Sequence, residues 1–182
     1  MPLKWIPNAL TLARCALAFV VGWSILAHTA TAPIIPFLLF TAIAATDFLD
    51  GYAARRLEAV SPLGAFLDPI ADKLLVALSL LALCKIAAWP LVLTIPTAII
   101  IVRDIAITLL RLQPRIQLPV SKLAKWKTAA EMAGIGGLLL APIISPLQIV
   151  IYYASLVLVW AAAALSGYTL GRYIGTLLPD TK

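Results

Sequence analysis

Six long apolar stretches constrain the fold of this chain more than any other feature. Hydrophobic residues make up 63% of its 182 residues, the mean hydropathy is +1.02, and only 12% of the residues are charged. A helix of about 20 apolar residues is long enough to cross the roughly 30 Å hydrocarbon core of a bilayer. We therefore predict an all-α, polytopic membrane protein in which residues 1–182 form a single domain.

Prolines and short polar segments separate the apolar stretches, as is typical of helix ends. Ahead of the first stretch, Met1–Pro7 combines a lysine, a tryptophan and an isoleucine, which predicts a short interfacial segment. We predict six transmembrane helices, over residues 9–28, 33–54, 64–86, 91–112, 121–144 and 147–174.

Ten of the 14 Lys and Arg residues lie at one set of helix ends. Lys85 is the only basic residue in the opposite connections, so the positive-inside rule predicts that both termini are cytoplasmic. The net charge of +6 therefore indicates membrane topology and contact with anionic lipids, and we expect no nucleic-acid partner. The residues on the basic side are Lys4, Arg55, Arg56, Arg111, Arg115, Lys122, Lys125, Lys127, Arg172 and Lys182.

Four aspartates lie at regular spacing in the second and third predicted helices. Asp47 and Asp50 are three residues apart, and Asp68 and Asp72 are four residues apart, so each pair shares one helix face. An ionised carboxylate in a membrane helix is costly and usually faces a bundle interior or a water-filled cavity, where it has a function. Four acids close together repel one another, and a divalent cation with oxygen ligands would relieve this repulsion.

The spacing of these aspartates resembles the motif of the CDP-alcohol phosphotransferases, D-x2-D-G-x2-A-R-x8-G-x3-D-x3-D. All eight fixed positions match without a gap, and they are Asp47, Asp50, Gly51, Ala54, Arg55, Gly64, Asp68 and Asp72. The resemblance implies a membrane enzyme that releases CMP from a CDP-linked lipid with the help of two Mg²⁺ or Mn²⁺ ions. It also implies a homodimer in a bacterial inner membrane, with the active site facing the cytoplasm.

The resemblance assigns a role to each motif position. Asp47, Asp50 and Asp68 would bind the metals, and Asp72 would act as the base while also belonging to the metal-binding set. Asp47, Gly51, Ala54, Arg55, Gly64 and Asp68 would bind the CDP group. Arg55 suits a phosphate because its guanidinium forms two parallel hydrogen bonds, and the missing side chain at Gly51 permits a close approach. Gly64 is equally compatible with a helix start at a tight turn.

The resemblance extends over residues 7 to about 132 and is strongest to family members that join CDP-diacylglycerol to sn-glycerol 3-phosphate. It implies that Arg103, Arg111, Ser121, Lys125 and Lys127 bind the acceptor phosphate. Two alternatives remain for these residues. Arg103 and Asp104 could form a structural ion pair, and the lysines could contact anionic headgroups. Glu131, four residues after Lys127, could be the acidic partner of that lysine.

Two other functions are compatible with parts of the pattern. An Arg-Asp pair at 103–104 also occurs in cardiolipin synthases of the CDP-alcohol type, whose acceptor is phosphatidylglycerol. A metal-ion transporter would use the aspartates as a permeation site, but transport gives no reason for Gly51, Ala54, Arg55 and Gly64. We therefore expect a phosphatidyltransferase that is embedded in the membrane and contacts its lipids.

Overall fold

All regular secondary structure in the described part of the chain is helical. The computed structural model describes the backbone of residues 5–57, 62–111 and 122–177, and within these ranges the side chains of residues 5–11, 47–57, 62–69, 72, 111, 122, 124, 173, 174, 176 and 177 lie outside the description. The elements are α1 (Trp5–His28), α2 (Ile34–Leu57), α3 (Pro62–Ile86), α4 (Leu91–Arg111), α5 (Lys122–Leu140), a 3-10 turn (Ser145–Leu147) and α6 (Gln148–Leu177).

These bounds agree with the predicted helices to within a few residues, except at two ends. The fifth helix ends at Leu140 instead of residue 144, because a turn that includes Pro142 follows it. The first helix already begins at Trp5, so Trp5–Pro7 belong to α1, while residues 1–4 of the predicted interfacial segment lie outside the described residues.

The helices enclose one continuous apolar core. Helix α1 packs mainly on α3, α5 packs mainly on α6, and α4 lies against both α3 and α6. Helix α2 contacts α1 and α5. Fully or almost fully buried core residues come from all six helices, for example Val21, Phe40, Leu80, Ile135 and Val159.

Glycines allow α5 and α6 to approach closely. A Cβ added at Gly137 would lie 2.0 Å from Ser155 Oγ, and one added at Gly134 would lie 2.8 Å from Val159 Cγ2. Atoms this close cannot coexist without movement, so these two positions set the distance between the helices. Small residues have the same function in membrane helix pairs generally.

A tryptophan of α6 compensates for a proline within α4. Pro96 has no N–H group and cannot bond to the carbonyl of Val92, four residues earlier. Trp160 Nε1 instead donates a hydrogen bond to Val92 O over 2.8 Å. The carbonyl that the proline leaves open is thus satisfied by another helix, as membrane interiors require.

The outer surface of the bundle is strongly apolar. Among the described residues, two helical segments are long and apolar enough to cross a membrane, over Leu91–Leu110 and Ser145–Arg172. Their outward residues include Leu91 and Ile149, each 73% exposed, and Val157, which is 67% exposed. A surface of this kind is unfavourable in water but matches lipid. The protein is therefore an integral membrane protein with at least these two candidate spans.

Candidate active site

The motif aspartates lie on two consecutive helices. Asp47 and Asp50 are on α2, Asp68 and Asp72 are on α3, and only residues 58–61 separate the two helices. At about 1.5 Å per residue, Asp50 lies roughly 10 Å before the end of α2, and Asp68 lies roughly 9 Å after the start of α3. Asp47 and Asp72 are each about 15 Å from these same ends. All four aspartates therefore lie within about three helical turns of the connection 58–61 along their own helices.

The other CDP-binding predictions lie on the same two helices. Gly51, Ala54 and Arg55 follow Asp50 on α2, and Gly64 lies in the first turn of α3. The side chains from Asp47 to Arg55, and those of Asp68 and Asp72, are outside the described residues. Among the side chains that are described, no group of three or more His, Cys, Asp or Glu residues could hold a metal ion. The predicted metal ligands therefore remain a prediction.

A cluster of buried charges lies next to this region, between α4 and α5. Arg103 Nη1 and Lys127 Nζ both contact Asp104 Oδ1, at 2.8 and 2.6 Å. Lys127 also pairs with Glu131 Oε1 at 2.9 Å, as the four-residue spacing predicted. Lys127 is only 3% exposed and Glu131 only 2%, so these are ion pairs inside the protein and not solvated surface pairs.

The cluster extends to two more helices. From α6, the hydroxyl of Thr169 accepts a hydrogen bond from Arg103 Nη2 over 3.2 Å. From α3, Lys73 Nζ donates to Asp104 O over 3.1 Å and to Thr108 Oγ1 over 2.5 Å. Lys73 directly follows Asp72 in the chain, so it connects the motif helix to the charge cluster.

One hydrogen-bond donor of the cluster has no partner among the described residues. Arg103 Nε is buried and makes no hydrogen bond to them. Lys127 Nζ donates a hydrogen bond to Asp104 Oδ1 and forms an ion pair with Glu131 Oε1, while an ammonium group carries three N–H donors. Both cations therefore keep capacity to bind a further oxygen ligand.

The structure separates the predicted acceptor residues into two groups. Arg103 and Lys127 are buried in the cluster, whereas Lys125, two residues earlier on α5, is exposed. Arg111 ends α4 with a side chain outside the description, and Ser121 lies outside the described residues altogether. The Arg103–Asp104 ion pair that the sequence left open as an alternative is present, and it is part of a larger network.

Sequence reasoning missed Lys73, Thr108 and Thr169 as members of this network. Each of the three lies on another helix from Lys127, and Thr169 is 66 residues from its partner Arg103. A lysine next to a motif aspartate was the only signal in the sequence, and it pointed to Lys73 alone.

Comparison with known proteins decides the family. The family model described as CDP-alcohol phosphatidyltransferase matches residues 4–166, and this range contains the whole aspartate motif and the charge cluster up to Glu131. The chain belongs to this family. It is accordingly an enzyme, a phosphatidyltransferase, and the family generally depends on divalent metal.

Relatives with similar activities align with this chain, two of those described here over nearly their whole length and one over less than half of its own. The CDP-diacylglycerol–glycerol-3-phosphate 3-phosphatidyltransferase of Salmonella paratyphi A is 36% identical over 183 aligned residues, which cover 96% of each chain. The protein of the same name from Pseudomonas fluorescens is 36% identical and covers 97% of this chain and 92% of its own. A CMP-forming cardiolipin synthase of Oryza sativa is also 36% identical, over 75% of this chain and 46% of its own.

Proposed function

We propose that this enzyme transfers the phosphatidyl group of CDP-diacylglycerol to sn-glycerol 3-phosphate, giving phosphatidylglycerol phosphate and CMP. The observation that carries this proposal is the match to the eight motif positions together with near full-length similarity to relatives that are named for this reaction. A phosphatidylglycerophosphate synthase needs a donor site for CDP and an acceptor site for a second phosphate. The motif and the neighbouring cationic cluster supply candidates for both.

The reaction exchanges one P–O bond for another. The C1 hydroxyl oxygen of glycerol 3-phosphate attacks the phosphorus next to diacylglycerol, and the bond from that phosphorus to the bridging oxygen of CMP breaks. The hydroxyl proton passes to the carboxylate of Asp72, the proposed base, and the bond pair leaves with CMP. A base at Asp72 is one helical turn from Asp68, so it can share the cavity of the metal-binding residues.

The donor set suits divalent metal because four carboxylates provide hard oxygen ligands and excess negative charge. Asp47, Asp50 and Asp68 would hold two Mg²⁺ or Mn²⁺ ions, with Asp72 at the edge of this set. Such ions would neutralise phosphoryl oxygens and stabilise both the attacking and the leaving oxygen. The CDP group would lie along Asp47, Gly51, Ala54, Arg55, Gly64 and Asp68.

Arg103 and Lys127 would bind the acceptor phosphate, with Arg111, Ser121 and Lys125 at the rim of that site. The support is that Arg103 Nε is buried without a hydrogen-bond partner among the described residues, and that Lys127, which has three N–H donors, makes one hydrogen bond to them, to Asp104. Asp104 and Glu131 hold the two cations in place, so the site is preorganised and little freedom is lost when a phosphate binds.

The proposed architecture rests on the apolar stretches, the distribution of basic residues and the family. It is a single domain of six membrane-spanning helices over residues 1–182, with an interfacial N-terminal segment, both termini in the cytoplasm and the active site on the cytoplasmic side of a bacterial inner membrane. We further propose a homodimer.

A CMP-release assay with purified enzyme in vesicles and a panel of acceptors tests the function. We expect CMP release from CDP-diacylglycerol with glycerol 3-phosphate and none with phosphatidylglycerol alone. CMP release with phosphatidylglycerol instead would make the protein a cardiolipin synthase, the second candidate, which the rice relative favours. Metal-ion flux into the vesicles without CMP release would indicate a transporter.

A further inference from the structure

An apolar groove of about 270 Å³ runs between α3 and α4. One wall is formed by Ile70, Leu74 and Ala77, and the other by Ile101, Ile105 and Leu109. Its polar lining residues, Lys73, Asp104 and Thr108, lie between the middle of the groove and its end at Leu109. The groove therefore has a polar half, which adjoins Asp72 in the chain, and an apolar half that ends at Ala77 and Ile100.

The length of the groove matches half a bilayer. Its α4 wall extends from Leu109, beside the end of the apolar span Leu91–Leu110, to Ile100 at the middle of that span. Nine residues of helix correspond to about 14 Å. One leaflet contributes about 15 Å of the hydrocarbon thickness. A chain that follows this groove therefore passes from the membrane surface to the midplane.

Hydrogen bonds connect the two walls of the groove in its polar half. Lys73 Nζ bridges from α3 to Asp104 O and Thr108 Oγ1 on α4, and Thr108 Oγ1 also donates to Asp104 O over 2.7 Å. At the outer edge, Ile105 and Leu109 are 54% and 59% exposed, so the groove opens sideways toward lipid. An acyl chain can enter it from the bilayer without leaving hydrocarbon.

We propose that this α3–α4 groove binds one acyl chain of the lipid donor while its headgroup occupies the active site. The volume lies below the roughly 300–1,000 Å³ of sites for whole ligands, so it suits a single chain and leaves the second chain in the bilayer. This inference rests on the proposed function, because it takes a diacylglycerol-linked nucleotide as the donor.

Ala77 offers a way to shorten the groove from its deep end. Among the groove residues of α3 it is the last in the chain, and its side chain is small. We expect Ala77→Trp to block the deep end, so that CDP-diacylglycerols with long chains bind poorly while those with short chains bind as before. Overpacking of this size corresponds to about a tenfold loss in kcat/KM for the long-chain donors. Ala98→Trp is the matched control, since Ala98 is exposed on α4 outside the groove.

The measurement is CMP release with donors of graded chain length, for wild type, Ala77→Trp and Ala98→Trp. A loss confined to long chains in Ala77→Trp alone supports the proposal. Equal losses at all chain lengths, or none, would overturn it. A change in mass by light scattering in Ala77→Trp, with unchanged chain preference, would show that a second copy of the chain covers the groove and would also overturn it. If the wild type releases no CMP, the proposed function fails independently of the groove.

A photoreactive donor provides a readout apart from activity. With a diazirine near the end of one acyl chain, we expect crosslinks to peptides that contain Ala77 or Ile101, and we expect unlabelled CDP-diacylglycerol to suppress them. Crosslinks there that the unlabelled donor does not suppress would mean that bulk lipid fills the groove, which would contradict the proposal.

Discussion

The two charged regions of this enzyme differ in how their charges are neutralised. The aspartate motif on α2 and α3 contributes four acids, and we propose that an added cation offsets their charge. The cluster on α4 and α5 balances Arg103 and Lys127 against Asp104 and Glu131 with its own side chains. A region with excess charge is stabilised when it binds an ion of opposite charge. A region whose charges offset one another is stable alone, and it can bind a ligand through hydrogen-bond donors that are not used within the protein.

The comparison predicts different consequences for loss of charge. Removing an acid from the motif should relieve repulsion in the metal-free protein, and the loss should fall on metal binding and activity. Removing a charge from the cluster leaves its partner buried and unpaired, which is strongly destabilising. Activity and stability measured together can therefore separate the two regions.

The largest effect is expected from the metal-binding set. Asp68→Ala should abolish CMP release because one of the proposed ligands of the two-metal site is lost. The melting temperature of the metal-free protein should stay equal or rise. Glu58→Ala, an acid in the connection between α2 and α3, is the control and should keep wild-type activity. Wild-type enzyme should lose activity in EDTA and recover it with Mg²⁺ or Mn²⁺. Full turnover in excess EDTA would contradict the metal mechanism.

Asp72→Asn should have the next largest effect. Loss of a general base lowers kcat by about 10²- to 10⁴-fold, while affinity for CDP-diacylglycerol should change little. The measurement is single-turnover CMP release beside equilibrium binding of the donor. If donor binding falls as steeply as turnover, Asp72 belongs chiefly to the metal set and another group acts as the base.

Lys127, inside the cluster, should matter much more for the acceptor than the exposed Lys125. Losing a charged hydrogen bond costs about 1.5–3 kcal/mol, so Lys127→Met should raise the KM for glycerol 3-phosphate roughly ten- to hundredfold. The exposed Lys125, as its matched control, should give at most about a fivefold change on replacement by Met.

Stability would be lost with Lys127 as well, so the double variant Lys127→Met with Glu131→Gln separates the two effects. It removes one cation and one acid, keeps the net charge and should recover much of the lost melting temperature. The high acceptor KM should persist in this variant. If KM returns to the wild-type value with stability, the cluster is structural and the acceptor phosphate binds elsewhere.

The smallest effect on activity is expected from a contact remote from both charged regions. Trp160→Phe leaves Val92 O without its donor and should cost about 1–3 kcal/mol of unfolding free energy. In a Pro96→Ala background the residue at 96 again carries an N–H group for this carbonyl, so the same Trp160 change should cost much less. Additive losses in the double variant would show that the hydrogen bond contributes little.

The sequence was sufficient for the helices and for the acidic motif, for related physical reasons. Apolar length determines a membrane helix locally, and the bounds of α4 and α6 came within a few residues of those predicted. The motif is likewise local, because Asp47 to Asp72 occupy two consecutive helices. Its match to a family pattern carried the assignment of roles.

The charge cluster could be predicted only in part, because helix rotation and packing bring its members together. The Lys127–Glu131 pair follows from a four-residue spacing, but the contact of Lys127 with Asp104 joins residues 23 apart. The opposite orientations of Lys125 and Lys127 depend on which face of α5 meets the core. The α3–α4 groove has no counterpart in the sequence pattern, since it depends on the separation of two helices.

The close contact between α5 and α6 limits how this enzyme can diverge in evolution. Positions 137 and 155 share one volume, because a Cβ at Gly137 would overlap the hydroxyl of Ser155. A larger residue at 137 requires that Ser155 change rotamer or be replaced by a smaller residue, so these positions should covary among relatives. At Gly134 the added Cβ would also meet backbone atoms, Ser155 O at 3.2 Å and Val159 N at 3.3 Å, which no substitution can shrink. Position 134 should therefore stay glycine wherever the two helices keep this spacing.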